Sequence, residues 1–66
     1  MKLKENHYYT TKDRSLVYIE QNRKKYFHGK IIEAHPEKVS MVFVPMIWNK
    51  NGTCPENKRF NIIGEY

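Results

Sequence analysis

Apolar and polar positions along this chain fall into short runs with a period of two. Leu16-Val17-Tyr18-Ile19-Glu20-Gln21 puts Val17, Ile19 and Gln21 on one side of an extended backbone and Leu16, Tyr18 and Glu20 on the other. His7-Tyr8-Tyr9-Thr10-Thr11 and Tyr26-Phe27-His28-Gly29-Lys30-Ile31-Ile32-Glu33 are rich in β-formers and read as two further strands. Gly29 inside the latter predicts a bulge or sharp bend. The longest apolar run, from Val39 to Trp48, carries hydrophobic side chains on both faces. It reads as the central strand of the fold, covered on both sides or coiled through a corner, with Pro45 at a bulge or an edge position. Arg59-Phe60-Asn61-Ile62-Ile63 reads as the last strand.

The joints agree with the strands. Lys12-Asp13-Arg14-Ser15 is a turn in which Asp13 can bond its own backbone two residues on. Asn22-Arg23-Lys24-Lys25 is a basic turn, and Ala34-His35-Pro36-Glu37-Lys38 is another, with Pro36 holding His35 extended. Asn51-Gly52 is a strong hairpin signal, and Thr53-Cys54 can pair back only briefly before Pro55. Pro55-Glu56-Asn57-Lys58 can form one helical turn. No window shows a clean helical period. The chain therefore predicts an all-β fold, a single small SH3-like barrel of about five antiparallel strands. Residues 1–6 read as a frayed basic end and residues 7–66 as the barrel domain.

Composition narrows the classes. A 66-residue chain forms one domain with a small core. One cysteine, Cys54, excludes an internal disulfide and points to a reduced, cytoplasmic setting. The start lacks the apolar core of a secretory leader, and no run is long enough to span a membrane as a helix. Aromatic residues make up 14% of the chain, which argues against disorder.

Charge is distributed unevenly. Residues 1–30 hold eight Lys or Arg against three acidic residues, whereas residues 31–66 balance four against four. That asymmetry points to one basic face and an anionic partner. The first three strands and their turns interleave cations with rings: Tyr8, Tyr9, Lys12, Arg14, Tyr18, Arg23, Lys24, Lys25, Tyr26, His28 and Lys30. Cations track phosphates and aromatic faces stack bases. Arg14, Arg23, Lys24, Lys25 and Lys30 are the candidates for phosphate binding, with Tyr18, Tyr26 and Trp48 for stacking. Half-buried tyrosines with wet hydroxyls are also ordinary barrel residues.

Catalytic and metal signals are weak. The chain has no nucleophile elbow, His-Glu-x-x-His or phosphate-cradling glycine loop. Cys54 would need His7, His28 or His35 beside it to act as a nucleophile, and no His or Cys pair has metal-ligand spacing. The expectation is a non-enzymatic binding protein without cofactor or metal, taking nucleic acid or a nucleotide. The alternative is a protein-interaction module that inhibits a host protein or self-assembles through Val39–Trp48, with Met46, Ile47 and Trp48 as its interface.

Tyr9-x-Thr11-x-Asp13, Tyr26-x-x-Gly29, Trp48-Asn49-x-x-Gly52 and the ending Asn61-Ile62-Ile63 resemble a set of small bacteriophage-encoded SH3-like β-barrel proteins. In that set a glycine stands where this chain has Arg14 and an aspartate where it has Asn61. The resemblance implies a phage accessory protein that acts by binding in the host cytoplasm.

Overall fold

The computed structural model describes residues 2–35 and 40–66. Pro36 to Val39, which the sequence assigned to a turn and to the start of the next strand, lie outside the described residues. The five strands are β1 (Tyr8–Thr11), β2 (Leu16–Asn22), β3 (Tyr26–His35), β4 (Ser40–Asn49) and β5 (Ile62–Glu65), with a 3-10 turn at Lys58–Phe60 before β5. All pairings are antiparallel, in one sheet of order β4-β3-β2-β1-β5. The fold is thus all-β, as expected, but the sheet is not closed, because β4 and β5 stand at its two ends.

This order corrects the reading of the Val39–Trp48 run. β2 is the central strand and β4 is an edge. The reason lies in its backbone. Asn49 donates its N–H to the Thr53 carbonyl (2.8 Å) and accepts from the Gly52 N–H (2.9 Å), both away from β3. With the two-residue period of a strand, the nitrogens of Ile47, Pro45 and Phe43 face the same way. Proline therefore occupies a position whose N–H would point off the sheet, and the β3–β4 register runs unbroken through Lys30↔Pro45. The irregularity lies elsewhere: Glu20 is an extra residue between Ile19↔Gly29 and Gln21↔His28. Opposite it, a Cβ on Gly29 would overlap the Tyr18 carbonyl oxygen, so only glycine allows β2 and β3 to come this close.

The alternating patterns converge on one buried face. Tyr9, Val17, Ile19, Phe27, Ile31, Trp48 and Ile62 form the core, closed by Leu3, Cys54 and Phe60. Each fully buried large side chain stabilises by ~1.5–3 kcal/mol. The Trp48 indole N–H donates to the Phe60 carbonyl (2.9 Å), tying β4 to the 3-10 turn. Asn57 caps that turn by accepting the Arg59 N–H (3.1 Å), which is why Arg59 and Phe60 leave the strand expected for them and β5 begins at Ile62. The Ile62 N–H also reaches the Gly52 carbonyl (2.9 Å), so the hairpin after β4 leans toward β5 without pairing the two strands.

Residues 3–6, which the sequence reads as part of a frayed end, are tied to the fold. Leu3 is buried in the core, the Asn6 N–H donates to the Ile19 carbonyl (2.7 Å), and the Glu5 carboxylate accepts the Asn22 N–H (2.7 Å). Residues 3–7 therefore run along the sheet beside the β2 bulge.

Candidate nucleic-acid interface

The second face of the sheet is only partly covered. Its side chains form two rows across four strands. One row is Tyr8, Tyr18, Lys30 and Pro45; the next is Thr10, Leu16, Ile32 and Phe43. Tyr18, Leu16, Lys30 and Ile32 are half-buried, whereas Tyr8, Phe43 and Pro45 are exposed.

Rings and charge meet in these rows. The Tyr8 and Tyr18 rings lie 4.8 Å apart, tilted by 43°. The Lys30 ammonium sits 5.9 Å from the Tyr18 ring centre and 5.2 Å from that of Phe43, bridging the rows. Glu20 holds it from the side at 3.5 Å, a partly solvated pair that counts for little in stability. The Tyr18 hydroxyl donates to the Asn6 side chain (2.8 Å), fixing the ring's tilt.

The predicted cations do not gather at one place. Arg23, Lys24 and Lys25 form the exposed tip of the β2–β3 hairpin, closed by the Arg23 N–H on the Tyr26 carbonyl (2.9 Å). Lys50 joins them: its ammonium bonds the Asn22 side chain and the Arg23 carbonyl and lies 4.4 Å from the Phe27 ring centre. Arg14 lies at the opposite end of β2, in the β1–β2 turn. There it takes φ 68, a conformation that favours glycine, with its N–H on the Thr11 carbonyl (3.0 Å).

That turn is tightly built. The Asp13 carboxylate accepts from the Thr11 hydroxyl (2.6 Å) and the Ser15 N–H (3.2 Å) and pairs with Arg59 at 3.2 Å. Partial burial pushes its pKa up, but the hydrogen bonds from Thr11 and Ser15 and the charge of Arg59 outweigh that and hold it below the ordinary aspartate value.

Two other candidates change role. Trp48 is 0% exposed, with its N–H committed to Phe60, so it is a core residue and not a stacking platform or an interface anchor. Met46 packs against the core and Ile47 is half-buried. The exposed apolar residues of β4 are instead Met41, Val42 and Phe43. Tyr26 is half-buried at the start of β3, beside the basic tip. Cys54 is buried, its N–H on the Asn61 side chain (2.7 Å).

Tyr8 and Phe43 were not chosen from sequence. The period-two pattern did assign Tyr18 to a face opposite Val17 and Ile19, but only the register shows which residues of β1 and β4 flank it. Compared with protein-family models, with curated proteins and with solved structures, the chain has no match.

Proposed function

We propose that this chain is a non-enzymatic module that binds single-stranded nucleic acid on the open face of its sheet. The observation that carries the reading is the Lys30 ammonium set between the rings of Tyr18 and Phe43, with the tilted Tyr8 ring against Tyr18. Rings on adjacent strands offer bases a face, and a cation among them offers the backbone a charge; that is how sequence-tolerant single-strand binders work. The basic Arg23–Lys25 tip continues the cationic track beyond Tyr26. In the same reading the open five-stranded sheet, in which β1 pairs with both β2 and β5 and a 3-10 turn precedes β5, is a partly open SH3-like barrel. The resemblance to phage-encoded barrels adds the host cytoplasm as its setting.

The test is titration of a fluorescein-labelled oligothymidylate at low and at physiological salt. Affinity is expected to fall steeply with salt, and Tyr18→Ala or Phe43→Ala to weaken binding by ~1–3 kcal/mol each. A flat salt response, or full affinity in both variants, refutes the reading.

A second reading, a protein-interaction module, rests on the exposure of Met41, Val42 and Phe43 on an edge strand without a charged residue between Ser40 and Asn49. Val42 belongs to the opposite face from the Lys30 rows. Loss of a host-protein complex in Val42→Lys, with Lys30→Gln unaffected, would favour that second reading.

A further inference from the structure

The fold assembles a basic cluster that the charge map of the sequence hides. Residues 31–66 carry no net charge, yet two of their cations are brought to the β1–β2 turn. The Asp13 N–H donates to the Arg59 carbonyl (3.3 Å), the Lys12 N–H to the Asn61 carbonyl (3.0 Å), and the Asn61 N–H to the Lys58 carbonyl (3.1 Å). Lys58 and Arg59 thereby join Lys12 and Arg14. Asp13 is committed to Arg59. Among the described residues, no carboxylate pairs with Lys12, Arg14 or Lys58, and all three are exposed.

The opposite end of β2 holds Arg23, Lys24, Lys25 and Lys50. β2 runs from Leu16 to Asn22 between the two clusters, a span of ~20 Å at ~3.3 Å per residue. The ring-and-lysine rows lie between them, on Tyr18 and its cross-strand neighbours.

Resting on the reading of the open face as a nucleic-acid platform, we infer that the ligand is a polymer, not a mononucleotide. A single strand lies along β2, with its bases over Tyr8, Tyr18 and Phe43 and its two ends held by the two basic clusters. A nucleotide can touch only one cluster at a time. A strand of several nucleotides, within the ~4–16 that small-barrel modules occupy, reaches both.

The experiment compares labelled oligothymidylates of about 4 and about 12 nucleotides on the wild type and on the triple variant Lys12→Gln, Arg14→Gly, Lys58→Gln. Glycine suits the φ of 68 at position 14, and Arg59 is left in place to keep its pair with Asp13. Circular dichroism checks the fold. The wild type is expected to bind the longer strand more tightly. On that strand the variant should lose about 2 units of the logarithmic salt slope, at ~0.7 per phosphate contact, and about tenfold or more in affinity at physiological salt. On the shorter strand, which can still use the cluster at the other end of β2, the loss should be no more than about twofold. Equal affinity of the wild type for both lengths, an unchanged slope in the variant, or the same loss on both lengths overturns the two-ended strand while leaving the platform standing. Failure of the wild type to bind either strand overturns the platform, and this inference with it.

Discussion

The two halves of β4 share a composition and have opposite fates. Trp48, near its end, is 0% exposed, and Phe43, five residues earlier, is 54% exposed. Neither half carries a charge. The difference comes from the two faces of the strand: Trp48 shares the core face with Val44 and Met46, whereas Phe43 shares the open face with Pro45. Trp48 pairs with Phe27 on the stretch of β3 that is backed by β2, and the 3-10 turn closes over it. The β2–β3 pairing ends at Leu16↔Ile32, and Phe43 pairs with Ile32 itself. Beyond that point, among the described residues, no third strand pairs with β3 or β4. Burial here is decided by which face of the sheet a side chain takes and what closes over that face, not by how apolar the strand is: Pro45, on the open face beside Lys30, is exposed although β2 backs that row.

The largest test of that contrast is truncation at the two positions. Trp48→Ala should cost about 3–5 kcal/mol in denaturant unfolding, because it empties the core and leaves the Phe60 carbonyl without its donor. Phe43→Ala should cost under ~1 kcal/mol. Equal costs would mean that the open face at Phe43 is covered by something the monomer lacks. Next in size is Gly29→Ala, where the new methyl overlaps the Tyr18 carbonyl. Prying β2 from β3 beside the bulge should cost about 2–3 kcal/mol and weaken binding on the open face as well. An unaltered midpoint would show that the bulge can yield.

The smallest effect belongs to the β1–β2 turn. The folded state lowers the Asp13 pKa below its ordinary 3.8. Its stabilisation is therefore complete above that value and fades as pH falls through the lower, folded one. Asp13→Asn should lose about 1 kcal/mol at neutral pH and converge with the wild type in strong acid. Parallel pH curves would contradict the sign.

The strand pattern was legible because local alternation, turn chemistry and Asn51-Gly52 all act within a few residues. The turn at Asp13 belongs to that class; Gly29 reads as a bulge or bend in its own strand, whereas the extra residue is Glu20 of β2 and Gly29 marks the close approach opposite it. What was hidden depends on long-range register. The unbroken β3–β4 ladder makes β4 an edge, although its two apolar faces resemble those of a central strand. Asn57 captures Arg59 and Phe60 into a 3-10 turn, although their composition suits a strand. Lys58 and Arg59 joined Lys12 and Arg14 only through backbone bonds that cross more than forty positions of chain. The open face was half legible: Tyr18 and Lys30 were chosen, whereas Tyr8 and Phe43 needed the register to be seen, and Trp48 needed its burial.

The core also carries two built-in reporters. Trp48 and Cys54 are the only tryptophan and the only cysteine, and both are buried. Each is tied to the same short segment, the indole to the Phe60 carbonyl and the Cys54 N–H to the Asn61 side chain. Indole fluorescence therefore follows the packed centre, while the rate of thiol alkylation follows release of the segment leading into β5. Coincident rates would mark the molecule as one cooperative unit. Alkylation that outruns the loss of fluorescence would mark the β5 segment as a latch that lifts while the rest of the sheet stays folded.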